Sequence, residues 1–397
     1  MTFNAESLRP ALRRIQVPRV AARLLRVDWT LPRQPSVVRL PAAAVSAQDV
    51  RLCERLIGAY RKSAERFNGT DDLSPIWRRI LEHQYRELTD VLDTGDSERL
   101  ASILARMFSM RFLEGISSNH IGGDGLYRRA LALSILLERL ARLAEFVGAT
   151  RTENPEQGPL GSLFKEGFPE LVRRIEERVG LPISVPPVGA PVGIATRNSV
   201  ITKESPEDVY VALRVDEKIR TLLSGPARHV VEIGAGFGGT AYWLLQRRVD
   251  IRRYTIIDLP IVNVVQGYYL GTVFGPEQVC LFGEAVEAGD GGPLRMIHVL
   301  PTFSIHNADW VPEIDVLLNA DSMPEMTERT VTEYLTWARR RMSTMFCSFN
   351  HEADAHSQTY VPEVVSRVGG FTRVCRDRNW VRAGYVDEVY LSVTESR

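Results

Sequence analysis

The chain has 397 residues, of which 44% are hydrophobic and 25% charged, and its 49 basic residues are balanced by 49 acidic ones. A net charge of zero gives no electrostatic ground for a nucleic-acid or anionic-membrane partner. No apolar run reaches the ~18 residues needed to span a bilayer, and four scattered cysteines without a C-x-x-C pair point to reduced thiols and a cytoplasmic location.

The N-terminal arm, "LRPALRRIQVPRVAARLLRV", is basic and partly amphipathic, and arginines interrupt any secretory core within it. After it the first half reads as helical. "QDVRLCERLIGAYRKSAERF" repeats apolar residues at three- and four-residue spacing, the mark of a helix with one buried face. "SPIWRRILEHQYRELTDVLD" opens on a Ser-Pro start signal. "SERLASILARMFSMRFLEGI" and "LYRRALALSILLERLARLAEFVG" are two further helices. Between these two, "SSNHIGGDG" reads as an interhelix turn, or else as a substrate-facing loop carrying Asn119, His120 and Asp124. Residues 181–200, rich in Pro, Gly and Val, mark a domain junction.

From about residue 206 strands alternate with helices. "HVVEIGA", "RYTIIDL", "IDVLLNA" and "STMFCSF" are strand-like, and so are both "QVCLF" and "MIHVLP", either of which could be the third strand. The pattern predicts a parallel α/β sheet with ligands at the carboxyl ends of its strands. The expected organisation is therefore an all-α domain over residues 1–195, acting as a lid, acceptor site or dimer interface. A Rossmann-like domain over residues 196–397 would follow it.

Gly234, Gly236 and Gly239 spell G-x-G-x-x-G, and Asp258 ends the next strand, where a carboxylate can take bonds from ribose hydroxyls. That much serves NAD as well as any other adenosine cofactor. Glu232, two residues before the first glycine, suits a cofactor that carries positive charge, as S-adenosylmethionine does, and would repel a pyrophosphate. Gly238 completes E-x-G-x-G-x-G, which resembles the first motif of class I methyltransferases. The C-terminal "FTRVCRDRNWVRAGYVDEVYLSVT" reads as strand, turn and strand, and looks like the antiparallel pair that closes the seven-stranded sheet of that class.

"YTIIDLPIVNVVQGYYL" and "IDVLLNADSMPEM" resemble a family of sugar O-methyltransferases found in antibiotic and polysaccharide gene clusters, over roughly residues 200 to 397. The matching positions are Asp258-Leu259-Pro260 and Asn319, Ser322, Met323, Glu325 and Met326. The resemblance implies methylation of a sugar hydroxyl, free, nucleotide-linked, on a natural product or in an oligosaccharide. Leu259, Asn319 and Ser322 would then join Glu232, Gly234, Gly236, Gly238 and Asp258 at the cofactor. D-L-P also resembles plant-type small-molecule O-methyltransferases, which are dimers through a helical N-terminal domain, so a homodimer is expected and a phenol or polyketide acceptor stays open.

A sugar hydroxyl is a weak acid, so transfer to it calls for a base. The segment "SFNHEADAH" places Asn350, His351, Glu352, Asp354 and His356 after the fifth strand, and His351 titrates in the right range. Glu325 competes for the role and Asp321 could face the acceptor. Glu325 and Asp321 could equally be a first-turn acid and a helix cap. The His-Glu-x-Asp-x-His spacing matches no established metal motif, and no metal is expected. Asn379 and Trp380 could touch a sugar, although packing is the commoner fate of a lone tryptophan.

Overall fold

The computed structural model describes residues 35–67, 73–113, 115–117, 126–153, 167–284, 296–306, 313–352 and 359–393. The basic arm, the loop carrying Asn119, His120 and Asp124, and the pair Asp354 and His356 lie outside these residues.

The first half supplies helices α1 (Ala47–Ala64), α2 (Pro75–Gln84), α3 (Arg86–Thr94), α4 (Ser97–Leu104), α5 (Leu126–Phe146) and α6 (Phe168–Val179). Their starts follow the sequence signals. Ser46 caps α1 in a capping box with Asp49, and Ser74 caps α2 through the amide of Trp77, with Pro75 in the first turn. The Pro-Gly-Val segment is irregular chain that ends in strands, so the region expected to be all-α also holds short strands. Strand β1 (Val37–Arg39) pairs with β2 (Val192–Ala195), and β2 with β3 (Val200–Ile201), in a small antiparallel sheet that joins the two ends of the helical region.

Helix α7 (Ser205–Leu222) leads into the main sheet. Its elements are β4 (His229–Ile233), α8 (Gly239–Arg247), β5 (Arg253–Asp258), α9 (Pro260–Phe274), β6 (Val279–Leu281), β7 (Met296–Pro301), β8 (Ile314–Ala320), α10 (Glu328–Arg341), β9 (Met342–His351), α11 (Val361–Val368), β10 (Phe371–Arg378) and β11 (Tyr385–Ser392). The strand order is β10-β11-β9-β8-β4-β5-β7-β6, and β11 runs antiparallel to both β9 and β10. The sheet has eight strands, not the expected seven. Both "QVCLF" and "MIHVLP" enter it, with β7 beside β5 and β6 outside β7, because each pairs in parallel and buries its apolar residues.

Successive residues of the central strands face opposite layers. Val230, Ile256 and Leu318 join the core on one face, whereas Val231, Ile257 and Leu317 join the core on the other. Burial on both faces explains why these strands read as continuous apolar runs. The first core is shared with the N-terminal helices. Leu56 and Leu52 of α1 lie over Gly267 and Gly271 of α9, where added Cβ atoms would come within 2.6 and 2.9 Å of them.

Strands β5 and β8 flank β4 on opposite sides, so the chain reverses its winding there and opens a crevice at the carboxyl ends.

Candidate active site

At that crevice lies a cavity of about 840 Å³, large enough for a cofactor and a small acceptor together. Its floor is the turn after β4. Gly234, Gly236 and Gly238 have φ of 69°, 55° and 100°, a region that side-chain-bearing residues seldom adopt. A Cβ on Gly234 would lie 2.2 Å from Ser322 Oγ, and one on Gly236 would lie 2.8 Å from the carbonyl oxygen of Ile116. The N-terminal half therefore reaches over the turn. Gly238 is buried against Leu270, so it shapes the turn from beneath. Gly239 makes room for the Asp208 carboxylate of α7.

Asp258 ends β5 because Leu259, extended before Pro260, turns the chain into α9. Its carboxylate accepts from the amides of Leu259 (2.8 Å) and Ala235 (3.2 Å) and from Gln266 Nε2 (2.7 Å). Gln266 also donates to the Gly236 carbonyl at 2.9 Å, tying helix, strand and turn together. No motif flagged it. Burial lifts Asp258 to about 6.

Glu232 lies within β4 and lines the cavity. It is 1% exposed, accepts from the Tyr254 hydroxyl at 2.7 Å, and is pushed by burial up to about 8. At neutral pH it mostly holds its proton, so the negative charge expected of it is present only in part. Asp208 is likewise held well above the ordinary carboxylate range, by burial first and then by Glu207 and Glu204.

Asn319 does not face the cavity. It is fully buried, with Nδ2 donating to the Ile233 carbonyl at 2.8 Å and Oδ1 accepting from the Met323 amide at 3.3 Å. It pins the end of β8 to that of β4, as Ser322 Oγ does by donating to the same carbonyl at 2.9 Å. Ser322, like Leu259, also lines the cavity.

The opposite wall brings Asp321, Glu325 and His351 together. Asp321 has φ of 66°, a left-handed conformation unfavourable for a non-glycine residue. Its carboxylate is held there by Tyr385 Oη (2.7 Å) and Arg382 Nη1 (2.6 Å). Arg382 also pairs with Glu207 and lies 3.6 Å from the Tyr385 ring centroid. His351 sits at the end of β9, opposite Tyr385 in register, with Nε2 4.0 Å from Asp321 Oδ1. Glu325, in the 3-10 turn Met323–Glu325, accepts from Trp77 Nε1 at 3.1 Å. Burial, and then the charge of Asp321, lift it to about 7. Trp77, Glu207, Arg382 and Tyr385 were not anticipated from the sequence. Among the described residues, no three His, Cys, Asp or Glu side chains converge as a metal site, and no helix is long and apolar enough to cross a membrane. Asn379, in the β10–β11 turn, is buried and bonded to Asp387, whereas Trp380 is exposed, with its ring beside that of Phe146.

Neither a protein-family model nor a curated protein matches the chain. Among solved structures it is similar to the pyocyanin biosynthetic protein PhzM, at 11% identity and a TM-score of 0.36, over 86% of this chain and 94% of that one. The mitomycin 7-O-methyltransferase MmcR matches at 12% identity and a TM-score of 0.36, over 87% and 95%. A protein from Nostoc punctiforme PCC 73102 matches at 10% identity and a TM-score of 0.36, over 48% of this chain and only 58% of its own length. Likeness at this level bears on neither activity nor acceptor. What stands is the architecture itself: a doubly wound, mostly parallel sheet closed by an antiparallel pair, with a glycine turn at its switch point.

Proposed function

We propose that the protein is an S-adenosylmethionine-dependent O-methyltransferase acting on a small-molecule hydroxyl, and specifically on a sugar hydroxyl. One observation carries the cofactor assignment. Seven carboxylates line the cavity beside the glycine turn, against one guanidinium among the described residues, that of Arg382. Crowding carboxylates out of water is unfavourable, and burial raises the pKa values of Glu232, Asp208, Asp258 and Glu325 accordingly. A ligand with a sulfonium and an ammonium group relieves this strain, whereas a dinucleotide's pyrophosphate adds to it.

When bound, the cofactor supplies an electrophilic methyl group. The protein's part is to hold the acceptor oxygen in line and to take its proton. Glu325 is the base that fits best, because a carboxylate held near 7 matches a neutral operating pH and lines the cavity. His351 stands beside it as the second candidate. In this reading residues 196–397 hold the cofactor and residues 1–195 cover the acceptor. Leu73, Ile76 and Trp77 present an apolar and aromatic wall to the acceptor. That wall suits the C–H face of a sugar, and it equally favours a phenol or polyketide as a second reading.

Calorimetry with S-adenosylmethionine, S-adenosylhomocysteine and NAD tests the cofactor. The first should bind tightest, because it alone carries the sulfonium charge, and NAD should give no saturable heat. Micromolar binding of NAD would refute the assignment. Screening glycosides against phenols with labelled cofactor then separates the two acceptor classes.

A further inference from the structure

We infer that Trp77 is a positioning residue: its indole N–H aims the Glu325 carboxylate at the acceptor, so that the helical half of the chain completes the base. This rests on Glu325 being the base, as proposed above.

The two residues are 248 positions apart, yet Nε1 and Oε2 are 3.1 Å from each other. Both ends of the contact are fixed up to the carboxylate. Trp77 lies in the first turn of α2, whose start is set by Ser74 and Pro75. Its ring is partly buried and packs against the hydrophobic core of the helical half. On the other side, the Glu325 amide donates to the Ser322 carbonyl at 3.1 Å and the Met326 amide to that of Met323 at 3.1 Å. Beyond that backbone a glutamate has three free torsions, and the indole restrains them. An indole nitrogen can only donate, so the contact orients the carboxylate without ever competing for the proton it is to receive.

The charged groups facing Glu325 are Asp321, from its own loop, and Arg382, from the β10–β11 turn, with Trp77 contributed by α2. Asp321 and burial raise its proton affinity; the indole and Arg382 lower it. Removing the N–H alone therefore has a defined sign.

Trp77→Phe keeps a ring and loses the donor. Its single-turnover rate should fall about tenfold, with the acid limb of the pH–rate profile moved up by roughly 1 pH unit, as expected for losing a hydrogen bond to a charged group. Affinity for S-adenosylhomocysteine should be unchanged. A profile identical to wild type overturns the inference. A second readout needs no activity. The difference in tryptophan fluorescence between wild type and Trp77→Phe isolates one of six tryptophans. It should titrate near neutrality, and that titration should vanish in Glu325→Gln. A flat difference between pH 5 and 9 also overturns the inference. Failure of the underlying reading shows separately, as a Glu325→Gln enzyme with wild-type turnover while the fluorescence titration persists in the parent protein.

Discussion

The two walls of the cavity are built in opposite ways. The wall that we assign to the cofactor, from Glu232 to Gln266, comes from one continuous stretch of strand, turn, helix, strand and helix. The wall that we assign to the acceptor joins Trp77, Glu207, Asp321, Glu325, His351, Arg382 and Tyr385, drawn from both halves of the chain and tied by hydrogen bonds and ion pairs. A local wall can be specified by backbone conformation. A dispersed wall exists only when the whole molecule has folded, so its changes should register in turnover rather than in cofactor binding.

The harshest way to break this division is Gly236→Val. A side chain there meets the Ile116 carbonyl, and φ of 55° strains it further. Cofactor binding should be abolished in calorimetry while circular dichroism stays helical. Retained binding would mean that the turn does not cradle the ligand.

On the acceptor wall, Glu325→Gln should lower single-turnover rates by ~10²-fold or more with little change in cofactor affinity. His351→Ala should cost less than that. If His351→Ala is the inactive variant and Glu325→Gln turns over normally, the imidazole is the base.

Asp258→Ala returns to the cofactor wall with a smaller effect. Affinity for S-adenosylhomocysteine should weaken by ~1–3 kcal/mol at unchanged turnover under saturation. Unaltered affinity would show that Asp258 serves only the amides of Ala235 and Leu259.

The smallest effect is thermal and has two limbs. His229 and His298 are buried and depressed by that burial to about 4 and about 3. Neither ring nitrogen of His298 has a hydrogen-bond partner among the described residues. Their contribution to stability is present above the ordinary histidine value near 6.5 and is lost as pH falls toward those values. Glu232 and Glu325 are raised, so their contribution is fully present below the ordinary carboxylate range and is lost as pH rises through about 8 and about 7, respectively. The Tm of the free protein should decline on both sides of a mildly acidic optimum. S-adenosylmethionine should flatten only the alkaline limb, and scanning fluorimetry from pH 4 to 9 would show whether it does.

The turn after β4, the end of β5 and the start of α9 were legible because glycine spacing, a strand-end acid and a proline-started helix are local rules. The eighth strand was not, because "QVCLF" and "MIHVLP" have the same apolar texture and only pairing assigns both to the sheet. Asn319 was found as a site residue and is a fastener between strand ends, a distinction of side-chain direction that a motif does not carry. Glu232 was read as a charge, whereas burial favours its protonated form, against the hydroxyl bond from Tyr254, 22 residues away, which favours the charged one. Trp77 carried no signal beyond helical periodicity. Its partner lies in the other half of the chain.

The fit of α1 onto α9 bears on how the gene can be cut. Helix α9 buries residues around nearly its whole circumference, from Ile261 through Leu270, and a helix apolar on every side needs neighbours on every side. Leu52 and Leu56 supply one of those neighbours, seated over Gly267 and Gly271. Expressed without its first 195 residues, the sheet-bearing half would present a bare apolar groove to water and should aggregate unless the missing helices are supplied in trans. The two halves are then one unit of inheritance: a swap of acceptor preference between relatives must carry α1 along with α9, or lose solubility before it gains specificity.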